Sequence, residues 1–295
     1  MQRNDLKQTL YPYAFITPAM IVTILIIFLP MVRTILYSLT NYILWKPNER
    51  AFVGFANYRA ALADPVFYIS LRNTVIWIVG IIGMQFGLGL VTALILNQNF
   101  FGRSLIRSVI LIPWVTPSVI TALMWRWMYD GNYGLINEIL VRLGILERYF
   151  PWLADSSTAL LAIMIALMWQ GFPFFAIMLL AGLQAIPEEL YESAELDGAN
   201  AVQAFFRITI PMLLPIMFTT LLLRTIWVAN SLDIIYVMTG GGPGYATHTL
   251  PVYSYIRAYK GLDFGYSSTL AIFLTLFLMV FVAGYIRKIL KAGER

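Results

Sequence analysis

Long apolar runs, broken by few charges, dominate this chain and leave it few ways to fold. Val75 to Leu96 contains no charged residue, and neither does Ala159 to Leu183. Each run reaches the ~20 residues that an α-helix needs to cross the hydrocarbon of a bilayer. In lipid, every backbone N–H and C=O must find its partner inside the protein, which restricts a crossing segment to a helix or a closed barrel. The runs are continuous rather than alternating, so they select the helix. With 60% hydrophobic and 12% charged residues and a mean hydropathy of +0.75, the composition is that of an all-α polytopic membrane protein. Six spans are expected, at about residues 12–39, 73–96, 106–128, 157–184, 211–238 and 267–288, with a polar interval at about 185–210, all within one transmembrane domain, 1–295. The first run is too long for a signal-peptide core and has no small-residue cleavage site after it, so it reads as a retained span. An even number of spans returns both termini to one side.

Several chemistries are excluded. The chain has no Cys and one His, His248, which removes zinc–cysteine sites, disulfides and a catalytic thiol. The formal charge of +5 comes from scattered Lys and Arg, with no basic tract of the kind that nucleic acid requires. No Lys follows a Gly, so a Walker A phosphate loop cannot occur. If ATP drives this protein, another chain binds it. No nucleophile–base pair or metal-ligand set argues for an enzyme. The basic residues divide evenly between the two sides of the expected topology; only the cluster Arg287, Lys288, Lys291 and Arg295 favours a cytoplasmic C-terminus.

Within the spans, Gly80, Gly83, Gly87 and Gly89 include a G-x-x-x-G pair that would admit a close neighbouring helix; the alternative is that glycine is simply common in membrane helices. Pro113 and Pro117 mark irregular backbone in the third span, tolerated only against protein or a wet path. Trp125, Trp127 and Tyr129 form an interfacial belt. In the loop that follows, Ile136, Ile139, Leu140 and Leu143 share a helical face opposite Glu138 and Arg142, which suits a helix lying on the membrane. The fifth span carries Arg224, Asn230, Ser231 and Asp233, although a charge at membrane depth costs roughly 2.5–3.5 kcal/mol on insertion scales. Arg224, Trp227, Val228 and Ser231 fall on one stripe: a charge, an aromatic face and a hydroxyl, the chemistry that holds a sugar. Alternatively, Arg224 pairs with an acid elsewhere and Trp227 packs. Leu167, Gly171 and Phe174 make a matching stripe on the fourth span. Gly240 to Gly242 with Pro243 require a sharp turn that takes positive φ.

The polar interval opens with Pro187, Glu188 and Glu189, which suit the first turn of a helix, and Gly198 suits its stop. A surface helix is expected from about Pro187 to Asp197, then a second short helix through Phe205, Phe206 and Ile208, with re-entry at Pro211. Glu192-x-Ala194-x-x-Asp197-Gly198-Ala199, followed by Phe206-x-x-x-x-Pro211-x-x-x-Pro215, resembles the EAA loop of the transmembrane subunits of ATP-binding-cassette importers, with Ser193 where that loop usually has Ala. Thr239-x-Gly241-Gly242-Pro243, Asp263-Phe264-Gly265-Tyr266 and Phe52-Val53-Gly54-Phe55-x-Asn57-Tyr58 are similar to segments of carbohydrate-importer permeases of the maltose-importer, first-permease type, so the resemblance runs through nearly the whole chain.

The resemblance implies a six-helix type I permease fold and a subunit of an ATP-driven, binding-protein-dependent sugar importer in the bacterial inner membrane, both termini cytoplasmic. It implies coupling to the ATPase through Glu192, Ser193, Ala194, Asp197, Gly198 and Ala199, and a substrate path at Leu167, Gly171, Phe174, Arg224, Trp227, Val228 and Ser231. The implied partners are a second permease, two ATPase subunits that bind ATP and Mg, and an extracytoplasmic solute-binding protein; no cofactor is expected in this chain. The alternatives are the same architecture for a polyol, a glycerol phosphate ester or another small polar solute, and an ion-coupled secondary transporter in which Arg224 and Asp233 relay charge.

Overall fold

A computed structural model describes residue 13 and residues 15–293, the last six by backbone alone. The expected start of the first span at residue 12, together with Arg3, Lys7, Arg295 and the side chains of Lys288 and Lys291, lies outside what is described. The described residues are almost entirely helical and fall into two compact units, those up to 64 with 254–275, and residues 65–253 with 276–293.

The first unit begins with α1 (Phe15–Ser38), which ends in a loop. α2 (Ala56–Ala63) follows. The Asn57 side chain donates to the carbonyls of Ser38 and Thr40 at 3.0 and 2.9 Å, closing the end of α1 that has run out of helical donors. In the same unit the amides of Phe264 and Gly265 donate to Tyr42 O. A Cβ on Gly265 would lie 2.3 Å from Thr40 O. The two motifs around Asn57 and Gly265, far apart in sequence, thus belt the same loop.

The second unit is built on α3 (Pro65–Asn97), a 33-residue helix that starts a turn or two before the expected span because the apolar run is preceded by helix-compatible Val66 to Arg72. α4 (Arg103–Val115) and α5 (Ser118–Met128) occupy the expected third span as an apolar pair bent by 92° at its break. Thr116, forced extended by Pro117 (ψ 127°), makes the bend, and Gln170 Nε2 donates to the freed Thr116 carbonyl at 2.8 Å. α6 (Leu135–Arg142) lies in the loop after it. Here the structure corrects the expected single membrane-facing stripe: Ile139 and Leu143 are exposed, whereas Ile136 and Leu140 turn in against Trp125, Tyr129 and Trp152. Asn137 is the cause. Fully buried, it donates to Asp130 O and Phe150 O and accepts from Phe150 N and Trp152 Nε1, so the helix is rolled about this side chain.

α7 (Ala159–Gln184) makes its most extensive packing with α3. Gly89 permits it: a Cβ there would sit 2.4 Å from Phe175 Cβ and 3.1 Å from Phe172 O. Gly83 and Gly87, the G-x-x-x-G pair, face open space. Ala93, Leu96, Phe175, Leu179, Leu183 and Leu213 are the centre of the core between α3, α7 and the fifth span. Next comes α8 (Glu188–Leu196), then α9 (Ala201–Ala229). The expected second short surface helix is therefore the first turns of α9, joined to the span through a wide π-helical turn at Phe205–Thr209.

The fifth span is not continuous to Val237 as expected. α9 ends at Ala229, and there Asn230 Nδ2 and Ser231 Oγ donate back to Ile226 O and Trp227 O, at 2.8 and 3.2 Å, satisfying carbonyls of the helix's last turn. A separate α10 (Asp233–Thr239) follows, then a glycine turn with Gly240 and Gly241 at φ +63° and +92°. α11 (Leu250–Tyr259) and α12 (Phe264–Gly293) complete the chain, each contributing to both units. Among the described residues five helices are long and apolar enough to cross a membrane, or six if the bent α4–α5 pair counts as one span.

Candidate functional site

The two broken crossings meet at one cavity. About 330 Å³ in volume, it is lined by Trp114 and Ser118 from either side of the α4–α5 bend, Leu167 and Gln170 of α7, Arg224 and Trp227 of α9, and Asn230 to Ile234 across the α9–α10 break. Backbone that leaves the helix at membrane depth is stable only where it borders protein or a water-filled space, and both breaks do so here. α5 and α10 pack together beyond the breaks, with Ser118 Oγ donating to Asp233 Oδ2 at 3.3 Å and Arg126 Nη1 to Val237 O at 3.1 Å.

Arg224 is the charge at the cavity's base, only 8% exposed. Its Nε donates to Gln85 Oε1 at 2.7 Å, and Gln85 Nε2 donates to Leu167 O at 2.6 Å. Among the described residues the ion pairs are Lys46–Glu49, Glu138–Arg142 and Arg257–Asp263, so neither Asp233 nor any other carboxylate neutralises Arg224. A buried guanidinium held by a neutral amide keeps its charge and its remaining donors for whatever enters the cavity.

Of the residues assigned to the path, Leu167, Arg224, Trp227 and Ser231 line this cavity. Gly171, Phe174 and Val228 stand behind it. A Cβ on Gly171 would lie 1.9 Å from Arg224 Nη2 and 2.1 Å from Gln85 Nε2, so the missing side chain makes room for the guanidinium and amide rather than for a sugar ring. Phe174 packs on Trp227, ring centroids 5.1 Å apart. Val228 is buried and its carbonyl accepts from Trp77 Nε1 at 3.0 Å. Gln85 was not singled out in the sequence, although a lone amide in a charge-free span is a legible signal; Trp114, Ser118 and Gln170 join the site only through the bend.

At the other polar region, α8 exposes Glu192 and Ser193, and Ala194 and Ala199 are half-buried. Gly198 has φ +80°, a conformation costly for any residue with a Cβ. Asn200 and Gln203 form a reciprocal capping box that starts α9. Between the two helices lies a hollow of about 360 Å³ lined by Ala194, Asp197, Gly198, Ala199 and Arg207 among others, next to exposed Leu196, Val202 and Phe206. Tyr191 and Thr209 share a hydrogen bond of 2.8 Å that ties α8 to the base of the span.

A helical bundle with two helices broken around a polar cavity, and a surface helix strapped to one of them, is the fold of a membrane permease, and the comparisons with known proteins place it among the ATP-binding-cassette importers. Residues 85–294 match the family described as binding-protein-dependent transport system inner membrane component, and the chain belongs to that family. The trehalose/maltose transport system permease protein MalF of Thermococcus litoralis is 39% identical over 275 residues, spanning 93% of this chain and 92% of that protein. The sulfoquinovosyl glycerol transport system permease protein SmoG of Agrobacterium fabrum is 38% identical over 285 residues, 96% of this chain and 91% of that protein. In fold, the chain is similar to a subunit of a bacterial ABC transporter involved in the import of the acidic polysaccharide alginate, with TM-score 0.84 at 20% identity, covering 97% of each chain.

Proposed function

We propose that this chain is a permease subunit of an ATP-driven carbohydrate importer and that the cavity between the two broken crossings is its substrate path. The observation that carries this reading is the buried Arg224, in no ion pair among the described residues, opening on a cavity with aromatic side chains, several hydroxyl and amide groups and the Asp233 carboxylate. Sites for small polar ligands combine apolar walls with a few convergent polar groups. An indole stacks on the apolar face of a sugar ring, while Arg224, Ser118, Gln170, Asn230 and Ser231 meet hydroxyls. Relatives named for disaccharide and sulfoquinovosyl glycerol transport support the carbohydrate class.

In this reading Glu192, Ser193, Ala194, Asp197, Gly198 and Ala199 form the coupling surface, and α8 is the lever pressed by an ATPase subunit. The ATP and Mg reside on two partner ATPase chains; a second permease and an extracytoplasmic binding protein complete the assembly, and both termini face the cytoplasm. Substrate class and path are tested together by uptake of the candidate sugar at matched membrane abundance, with ATPase co-purification alongside. Trp227→Ala removes stacking of roughly 0.5–1.5 kcal/mol, and Arg224→Ala removes a hydrogen-bond partner whose loss costs about 1–3 kcal/mol. Both variants are expected to transport poorly with the ATPase still bound. Normal uptake by both would place the route elsewhere in the bundle.

A further inference from the structure

We propose that Arg103 and Arg107 clamp the phosphate of an anionic membrane lipid at the end of the bundle that carries α8. The two arginines stand one turn apart on α4 and share a face. Both are half-buried. With the Gln184 amide turned so that its oxygen faces them, Nη2 of each guanidinium donates to that single atom at 2.8 Å; Arg103 Nη1 also donates to Asn99 Oδ1 at 3.2 Å. The Nε of each is buried without an acceptor. None of the ion pairs among the described residues includes either arginine. Two like charges therefore converge on neutral amides, leaving their repulsion uncompensated and part of their donor capacity unused.

A phosphate diester supplies what is missing. Its anionic oxygens accept from both guanidiniums at once, the paired geometry in which arginine binds phosphate best. The rest of α4 sets the source as lipid. On α4, Leu105, Ile106 and Val109 are 70%, 42% and 52% exposed, and Ile106, one turn from Arg103, brings this apolar surface round to the edge of the charged face, where acyl chains can lie beside a held phosphate. Basic pockets between helices at a membrane face bind anionic headgroups in this way. Gln184 is itself exposed, leaving the clamp open to the surface.

The test uses the assembled transporter, delipidated in detergent and re-equilibrated with mixed phosphatidylglycerol and phosphatidylcholine, with retained lipid measured by mass spectrometry. Wild-type protein is expected to enrich phosphatidylglycerol by roughly tenfold over phosphatidylcholine. The double variant Arg103→Gln, Arg107→Gln is expected to lose that enrichment. Gln184→Glu is expected to lose it too, because the new carboxylate occupies the clamp while both arginines remain; this variant answers the question even if the double variant misfolds. Equal enrichment in wild type and Gln184→Glu overturns the proposal. So does selective binding of inorganic phosphate without lipid enrichment, which would make the site one for a free anion. Loss of ATPase subunits with lipid enrichment unchanged overturns it as well, reassigning the arginines to a carboxylate on that partner.

Discussion

Gly171 has no side chain because the space beside it belongs to Arg224 and Gln85, whose atoms would lie within 2.7 Å of a Cβ there. Gly171→Ala is therefore expected to displace the guanidinium rather than plug the cavity, since overpacking a filled site costs about 1–3 kcal/mol. Uptake at matched abundance should fall by roughly tenfold or more, with the ATPase still co-purifying; uptake equal to wild type would show that the guanidinium's position is immaterial. Gln85→Leu leaves the same charge buried without its amide partner, and a hydrogen bond to a charged group is worth about 1.5–3 kcal/mol. The measurable consequence is a lower melting temperature of the purified complex together with weakened uptake. An unchanged melting temperature would mean that Arg224 finds another acceptor. Asn137 makes a parallel case in the loop: its four hydrogen bonds are all lost in Asn137→Ala, stranding buried backbone groups at about 1–3 kcal/mol each. Protease cutting between α6 and α7 should become faster in that variant, and a cutting rate equal to wild type would refute this account of the loop.

Two elements owe their form to where a helix stops. The bend between α4 and α5 follows from Pro117, which bars Thr116 from helical backbone, and at the break between α9 and α10 the side chains of Asn230 and Ser231 close the end of the preceding turn. At the polar interval the stop is Gly198. A β-branched residue in left-handed backbone costs roughly 1–2 kcal/mol, so Gly198→Val is expected to distort the junction of α8 and α9 while the spans still insert. Transport and ATPase co-purification should drop together; a variant that keeps both would remove this turn from the coupling path. The surface helix and its stop were legible in the sequence, from the acidic first turn and the glycine after it. The break at Asn230 was not. The same polar residues fit a continuous amphipathic stripe, and nothing in their spacing marks the stop at Ala229.

At the scale of the whole molecule, the reading as an importer subunit makes two claims that lie beyond any single helix. The side of the membrane that α8 faces is tested by Ser193→Cys with an impermeant thiol reagent, an approach open because the chain has no Cys of its own. Labelling is expected in inverted vesicles and absent in intact cells, and labelling of intact cells would reverse the topology. The energy source is tested with the reconstituted complex after all ion gradients have been collapsed. Uptake is expected to persist with ATP alone. Arg224 and Asp233 line one cavity but share no ion pair, which gives an ion-coupled relay no structural support.

The sequence by itself determined the helical class, because a bilayer leaves an apolar run of that length no other way to satisfy its backbone. It also determined the family, through motifs at Glu192 to Pro215 and Thr239 to Pro243 whose residue types and spacings are local. What remained undetermined was which side chains share a space. Gln85, Leu167, Gly171 and Arg224 lie on three helices, and nothing in any one helix's periodicity shows that an amide from the first will hold a guanidinium from the third against a glycine on the second. Likewise the Asn57 and Gly265 motifs read as separate loop signatures until the fold brings both to the end of α1. Local pattern sets which face of a helix is apolar. Only the packing of several helices, with close approach permitted at Gly89 and Gly171, decides which polar atoms meet inside.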